Sequence, residues 1–156
     1  MENKTLPKRK HPVHFDMKDK NIPKVIFLTV CSKGKKKIFA NDSVHKLLVD
    51  SWSKAEYWAV GKYVIMPDHI HLLCCNANYK YPDLKPWVKY WKSEVSKKWF
   101  NIREQPIWQN DFWDRQMRSY ENYYKKWEYI RNNPVRAGYV KNANEWIYQG
   151  QLNILF

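Results

Sequence analysis

The sequence predicts an α+β fold in which a ferredoxin-like antiparallel sheet has its helices packed on one face. Three observations support this class. Short runs of β-branched and aromatic residues alternate with stretches in which apolar residues recur at helical spacing. The predicted order is strand, helix, strand, strand, helix, strand, helix, which is close to a split β-α-β arrangement. A chain of 156 residues is long enough for one domain with a hydrophobic core.

The first predicted strand and helix lie near the N-terminus. β-Branched residues are frequent in residues 24–31, which predicts a strand, and a lysine-rich loop follows over residues 32–37. Either Asn41 or Asp42 can cap the next helix, because both side chains accept hydrogen bonds from free backbone N–H groups. The apolar residues of this helix recur at Val44, Leu47, Leu48 and Trp52.

Two strands and a second helix are predicted next. Apolar stretches over residues 58–66 and 69–75 are separated by Pro67 and Asp68, which predicts two strands joined by a tight turn. Residues 83–100 are predicted to form a helix with its apolar residues on one side. These residues are Leu84, Trp87, Val88, Trp91 and Val95.

A fourth strand and a last helix are predicted in the C-terminal third. The pattern over residues 108–118 is ambiguous, and a strand over residues 112–117 is the preferred interpretation. Ser119 is predicted to cap a helix over residues 120 to about 132. The helix is expected to end there because Pro134 disfavours a helical conformation at the residue before it.

The composition indicates a nucleic-acid-binding protein. Lys and Arg number 28 against 15 Asp and Glu, a formal net charge of +13, and aromatic residues make up 17% of the chain. Cations bind phosphates and flat rings stack on unpaired bases, so this combination suits single-stranded nucleic acid. A basic ribosome-associated or RNA-binding protein would have a similar composition, and composition alone leaves that alternative open.

The sequence argues against a membrane or secreted protein. No apolar run approaches the roughly 20 residues that span a bilayer, and the lysine-rich N-terminus lacks the apolar segment of a secretory signal. Cys31, Cys74 and Cys75 form no CxxC pair, which excludes a zinc ribbon. They are predicted to be reduced core residues of a cytoplasmic protein. We also expect this protein to be nucleoid-associated. We expect a basic arm over residues 1–22 and a single domain over residues 23–156.

His69 and His71 are the first candidate functional residues. They alternate with Ile70 in a predicted strand, so both imidazoles leave the same face of the sheet. Two adjacent imidazoles can chelate a divalent cation. The spacing alone favours the simpler alternative of two hydrogen-bonded histidines without a metal, whereas their position directly after a Pro-Asp turn favours a site.

Tyr129 and Asn133 form the second candidate pair. They are four residues apart on a predicted helix and share a face. The phenol oxygen of Tyr129 and the amide oxygen of Asn133 can therefore face one site. Tyr129 can equally be a core aromatic residue, and Asn133 with Pro134 a helix stop, so the spacing leaves both interpretations open.

Two blocks of sequence resemble a known family. Residues 66–73 (MPDHIHLL) resemble the histidine–hydrophobic–histidine strand of the single-tyrosine HUH transposases, the IS200-like superfamily. Residues 108–119 (WQNDFWDRQMRS) and 129–138 (YIRNNPVRAG) resemble the REP-associated tyrosine transposase branch. The resemblance extends over residues 25–148, with the motifs in the family's order.

The resemblance implies a ferredoxin-like domain that acts on single-stranded DNA with hairpin or palindromic elements. It implies Tyr129 as the nucleophile and His69 and His71 as ligands of Mg²⁺ or Mn²⁺, with no small-molecule cofactor. In relatives a polar residue one helical turn after the tyrosine completes the metal site, and Asn133 holds that position here. A monomer is favoured, and a dimer with the tyrosine donated in trans is possible.

The implied reaction is transesterification through a 5′-phosphotyrosine, in which a second 3′-hydroxyl can reseal the strand. A non-catalytic hairpin- or single-strand-binding protein is the main alternative, and a metal-dependent hydrolase with a structural Tyr129 is another. The basic residues expected to contact DNA are Lys33, Lys35, Lys36, Lys37, Lys125, Lys126, Arg131 and Arg136.

Overall fold

The computed structural model describes residues 24–76 and 83–155, so the predicted basic arm lies outside the described residues. The described chain contains one antiparallel sheet. Its strands are β1 Val25–Ser32, β2 Trp58–Ile65, β3 His69–Asn76, β4 Trp108–Met117 and β5 Gln149–Gln151. They are ordered β4-β1-β3-β2-β5, so β1 and β3 lie in the interior of the sheet and β4 lies at one edge.

The four α-helices are α1 Asp42–Lys54, α2 Leu84–Lys97, α3 Tyr120–Arg131 and α4 Asn133–Arg136. Three short 3₁₀ turns also connect the elements, at Lys33–Lys35, Ile102–Glu104 and Ala143–Glu145. Among residues 24–76 and 83–155, no helix is long and apolar enough to cross a membrane.

Helices α1 and α2 cover one face of the sheet with the main hydrophobic core. The inward residues of β1 and β3 alternate, as expected for strands, and Leu28 and Leu72 pack in this core against Leu48 of α1. Trp87 and Trp91 of α2 are fully buried in the same cluster. Burial of these large side chains stabilises this half of the domain.

Helix α3 crosses the opposite face of the sheet. Its residue Tyr123 packs in a cluster with Val25, Leu73 and Met117, which alternate with the residues of the main core. About two turns further on, Ile130 packs with Val64 and Met66, which lie at the end of β2 and just after it. The helix therefore covers this face diagonally from β4 to β2, and the pair of histidines on β3 lies beside it.

The α+β class and the antiparallel sheet are confirmed by this architecture. The helices were expected on one face, whereas α1 and α2 lie on one face and α3 on the other. The predicted cap residues are correct. The Asn41 side chain accepts a hydrogen bond from the backbone N–H of Val44, and the Ser119 hydroxyl accepts one from that of Asn122. These bonds satisfy N–H groups that the first turn of a helix leaves without partners.

Two boundaries differ from the sequence-based expectation by three or more residues, and two short elements, α4 and β5, were not predicted. Helix α2 ends at Lys97, three residues early, and β4 begins at Trp108, four residues early. Pro134 lies in the first turn of α4, where its missing N–H costs nothing, so it starts a helix after α3 as well as ending one. The short strand β5 was not predicted, because three polar and glycine residues carry no strand pattern.

Candidate functional site

The histidine pair lies at the start of β3 on the sheet face that α3 crosses. Cα pairing joins His69 to Cys31 and His71 to Thr29 of β1. The two imidazole centroids are 4.7 Å apart and the rings are inclined by 75°. The predicted common face is thus observed, and the two rings are close enough to share a ligand.

One ring nitrogen of each histidine has an oxygen partner. The Nδ1 atom of His69 lies 2.7 Å from a carboxylate oxygen of Asp68, and Nδ1 of His71 lies 2.9 Å from the hydroxyl of Thr29. A carboxylate can only accept, so the Nδ1–H of His69 donates. Oxygen partners of this kind orient histidines that bind metals.

The environment keeps His71 neutral. Burial, followed by the neighbouring His69 and the positive charges of Lys126 and Arg136, lowers the pKa of His71 from 6.5 to about 3. The ring of Phe27 packs against His71 at a centroid distance of 5.3 Å and contributes to this burial. A neutral imidazole is the form that ligates a cation, so the low pKa prepares His71 for that role at neutral pH.

A divalent cation fits this pair with additional oxygen ligands. Within residues 24–76 and 83–155, no group of three or more His, Cys, Asp or Glu side chains is arranged to hold a metal ion. Two neutral imidazoles could therefore hold one side of a cation and leave positions for amide, water or phosphate oxygens. Such mixed ligation suits Mg²⁺ or Mn²⁺ better than a closed zinc site.

Tyr129 is exposed on α3, with 61% of its surface accessible to solvent. Tyr123 and Ile130 lie on the side of α3 that packs against the sheet. Tyr129 does not lie on that side, so it is not a core aromatic residue. The Arg136 Cζ atom lies 3.9 Å from the Tyr129 ring centre, and Lys126 Nζ lies 5.8 Å from it. Both distances are in the range of cation–π contacts.

Lys126 and Arg136 also connect Tyr129 to the histidine pair. The Lys126 Nζ atom lies 5.1 Å from the ring centre of Phe27, which in turn contacts His71. Both cations lower the pKa of His71 through their charge. The exposed tyrosine and the histidine pair therefore share two positive groups.

The amide oxygen of Asn133 accepts a hydrogen bond from Arg136. Arg136 Nη2 donates to Asn133 Oδ1 and to the backbone oxygen of Tyr129, both at 2.7 Å. Asn133 lies in the first turn of α4, immediately after α3 ends. The amide oxygen that was expected to bind a metal is therefore present, and it accepts a hydrogen bond from the Arg136 guanidinium.

A basic groove of about 780 Å³ lies between α3 and the C-terminal half of β4. One wall is a helical stripe of Asn122, Lys125, Lys126 and Tyr129, and the other is residues 115–118 of β4 and the turn after it. Arg115 and Arg118 add positive charge to the second wall. A groove of this size and charge suits a polyanionic strand.

The predicted basic residues occupy different environments. Lys36 Nζ donates to the backbone oxygens of Glu104 and Pro106 at 2.6 and 3.1 Å, a contact that holds two loops together without DNA. Arg131 donates to Glu128 and Asn144. Lys125 and Lys126 line the basic groove. The three remaining predicted lysines are exposed around the Lys33–Lys35 turn: Lys33, Lys35 and Lys37.

Four residues near the site were missed in the sequence. Thr29 and Asp68 contact the imidazoles. The sequence motif indicated a turn at Asp68 but not its contact with His69. Trp113 and Arg115 are exposed on β4 and alternate with buried neighbours. That alternation was available in the predicted strand over residues 112–117 and could have identified both.

Comparison with known proteins agrees with the motif blocks. A family model described as "Transposase IS200 like" matches residues 23–133. A Haemophilus influenzae protein named as a REP-associated tyrosine transposase is 27% identical over 139 residues, covering 78% of this chain and 76% of the relative. A REP-associated tyrosine transposase of Escherichia coli is 26% identical over 95 residues, covering 56% of this chain and 50% of the relative. The family resemblance of the motif blocks is thereby confirmed.

Solved structures share the fold. The structure of a REP-associated tyrosine transposase bound to a REP hairpin matches with a TM-score of 0.70 and 21% identity, covering 81% of this chain and 75% of that chain. A crystal structure from Deinococcus radiodurans described as that of a transposase matches with a TM-score of 0.52 and 17% identity, covering 70% of this chain and 90% of that chain. At these identities the likeness concerns the arrangement of strands and helices.

Proposed function

The chain belongs to the IS200-like transposase family, and on that premise we propose that it cleaves and rejoins hairpin-associated single-stranded DNA through a covalent bond to Tyr129. The single observation that carries this proposal is the shared pair of cations. Lys126 and Arg136 contact the exposed Tyr129 ring and also act on His71. Two positive charges thus lie at the Tyr129 ring and also act on one histidine of the pair, and we take them as the place where a phosphate would bind.

Tyr129 is the nucleophile in this proposal. Its phenol oxygen loses a proton and bonds to phosphorus, while the bond from phosphorus to the 3′ oxygen breaks and that oxygen takes up a proton. The product is a 5′-phosphotyrosine and a free 3′-hydroxyl. Attack by another 3′-hydroxyl reverses these steps, so the strand is rejoined without a separate energy source.

Lys126 and Arg136 would stabilise the negative charge that this reaction concentrates near Tyr129. Attack places charge on the phosphate oxygens and on the leaving oxygen, and fixed cations favour that charge more in a partly desolvated site than in water. Lys126 is partly desolvated, since burial, followed by the nearby Arg115, lowers its pKa. Its ammonium is therefore less well hydrated and better able to pair with a phosphate.

His69 and His71 would hold the divalent cation that the family implies. A bound Mg²⁺ or Mn²⁺ supplies Lewis-acid stabilisation of phosphate and leaving-group oxygens. Asp68 and Thr29 would keep the two rings oriented toward it. Arg136 holds a positive guanidinium against the Asn133 amide oxygen, which disfavours a cation there, so we assign Asn133 as a ligand of the DNA-bound state.

The DNA strand would follow the basic groove between α3 and β4. Lys125, Arg115 and Arg118 offer positive charge along it. A fold neighbour has been solved with a REP hairpin, which supports a hairpin as the partner, and we propose that a monomer binds it. The exposed lysines of the Lys33–Lys35 turn, together with Lys37, are proposed contacts to the hairpin stem.

The test is covalent adduct formation by the Tyr129→Phe variant. Wild-type protein is incubated with Mn²⁺ and single strands that carry hairpins, and adducts are resolved by denaturing electrophoresis. We expect Tyr129→Phe to abolish the adduct while DNA binding persists. Tyr124→Phe is a matched control, because Tyr124 is an exposed tyrosine on the same helix.

Two results would overturn the proposed chemistry. Cleavage by Tyr129→Phe at the wild-type rate would indicate a hydrolase in which this tyrosine is structural. Tight hairpin binding without any adduct would support the second candidate, a binding protein that does not cut. The hydrogen bond from Arg136 to Asn133 favours this candidate, because it engages the oxygen that would complete the metal site.

A further inference from the structure

Trp113 lies in a row across the sheet with Thr29 and His71. Cα pairing joins Trp113 of β4 to Thr29 of β1, and Thr29 to His71 of β3. Directly paired residues of neighbouring strands direct their side chains to the same face. The indole therefore leaves the same face as the histidine pair, at the edge of the sheet.

The alternation of burial along β4 supports this orientation. Phe112 and Asp114 are buried, at 6% accessibility each, whereas Trp113 is 41% exposed. Phe112 belongs to the core under α1 and α2, so Trp113 faces the other side. Exposing a Trp on a strand forfeits part of the free energy that its burial would give, and its position beside the candidate site provides a reason.

Positive charge lies on both sides of the space between Trp113 and Tyr129. Arg115 follows Trp113 by two residues and lines the basic groove, and its charge reaches Lys126 on α3. Neighbouring strands are about 4.8 Å apart, which puts Trp113 about 10 Å from His71 at the Cα level. That separation is comparable with the reach of one nucleotide from its phosphate to the far edge of its base.

We propose that Trp113 stacks on an unpaired base of the DNA strand, next to the phosphate that Tyr129 attacks. The inference rests on the proposed function and adds a positioning residue to it. An aromatic face accepts any base, so Trp113 would align the strand without selecting its sequence. The cations of the groove bind the phosphates, and the indole fixes where along the strand the attacked phosphate lies.

The experiment measures binding by fluorescence anisotropy in the presence of a chelator, so that cleavage is not required. The probe is a labelled hairpin oligonucleotide with a single-stranded extension, in a series with one abasic site moved along the extension. With wild-type protein, we expect one abasic position to weaken binding by about tenfold. Trp113→Ala should weaken binding of the intact probe by a similar factor, and that abasic position should then have no further effect.

Two further variants keep the test decisive if Trp113→Ala unfolds. Trp113→Phe retains a stacking ring and should bind nearly as wild type, with the same abasic position remaining sensitive. Tyr90→Ala is the matched control, because Tyr90 is half-exposed on α2, beyond the opposite face of the sheet, and should bind as wild type. Thermal unfolding of each variant confirms that it is folded at the assay temperature.

Wild-type affinity in a folded Trp113→Ala variant overturns the inference. The inference is also overturned if every abasic site weakens wild-type binding equally, so that no single position along the extension is sensitive. Neither result concerns Tyr129, which is tested by adduct formation. A protein that binds in this way but forms no adduct would retain the role of Trp113 and lose the proposed chemistry.

Discussion

The guanidinium of Arg136 lies over the ring of Tyr129, with Cζ 3.9 Å from the ring centre. The same group donates hydrogen bonds to the Tyr129 backbone oxygen and to the amide oxygen of Asn133. Because α4 follows α3 almost directly, one side chain connects the two helices at the point where the tyrosine is presented. Its charge also lowers the pKa of His71, so Arg136 contacts or influences Tyr129, Asn133 and His71.

Replacing Arg136 with Ala should slow adduct formation at saturating DNA. We expect a loss of about 100-fold, the effect of removing one preorganised donor from a developing negative charge. Single-turnover kinetics with a hairpin substrate measure it. Arg131→Ala is the control, since Arg131 ends α3, five residues before Arg136, and donates to Glu128 and Asn144 instead. Equal rates for the two variants would contradict the assignment.

Thr29→Val should weaken the binding of Mn²⁺ by about 10- to 100-fold. Valine has nearly the shape of threonine but cannot form a hydrogen bond with His71 Nδ1, so that ring loses the oxygen that orients it. Titration followed by electron paramagnetic resonance measures free Mn²⁺. Arg136→Ala should act in the opposite direction, because it removes a positive charge and releases the Asn133 oxygen. Unchanged affinity in Thr29→Val would exclude an orienting role for the hydroxyl.

The salt dependence of DNA binding should distinguish Arg115 from Lys36. Arg115 lines the groove, so Arg115→Gln should reduce the magnitude of the log–log salt slope by about 0.7 to 0.9. Lys36 already donates to two backbone oxygens. Lys36→Gln should therefore leave the slope unchanged and lower the free energy of unfolding by about 1 kcal/mol. A smaller slope for Lys36→Gln would show that this lysine contacts phosphate.

The stability of the metal-free protein should fall as the pH drops below about 6.5. Above that pH His71 is neutral in both states and contributes no pH dependence. Between 6.5 and the folded value of about 3, the unfolded chain binds a proton that folded His71 does not, so the free energy of unfolding decreases with falling pH. Urea unfolding in chelator measures this slope, and His71→Gln should flatten it. The same profile in both proteins would show that His71 is protonated in the folded state.

Local patterns were sufficient for most of the elements. The apolar spacing of α1 and α2 and the cap residues Asn41 and Ser119 are properties of consecutive residues, and they are observed. The common face of His69 and His71 follows from strand alternation alone. The polar strand β5 carries no such pattern, and it forms because β2 offers it a partner.

The site needed contacts between residues far apart in the chain. Whether Tyr129 is exposed or buried depends on which side of α3 packs on the sheet, and several of its aromatic neighbours could have taken either role. The commitment of Lys36 to Glu104 and Pro106 spans about 70 residues, and sequence reasoning could not distinguish it from the exposed Lys37. The register that pairs Trp113 with Thr29 places the indole beside the candidate site, and strand alternation alone could not predict that position.

The sequence by itself determined the α+β class, the faces of the strands and which histidines and tyrosine are candidates for the site. These features depend on local periodicity and on motifs read in order. The tertiary structure alone decided how these groups are connected. Arg136 and Lys126 join Tyr129 to His71 only because α3 crosses the sheet diagonally beside β3. Electrostatic and stacking interactions act through space, so their partners are set by packing rather than by position in the chain.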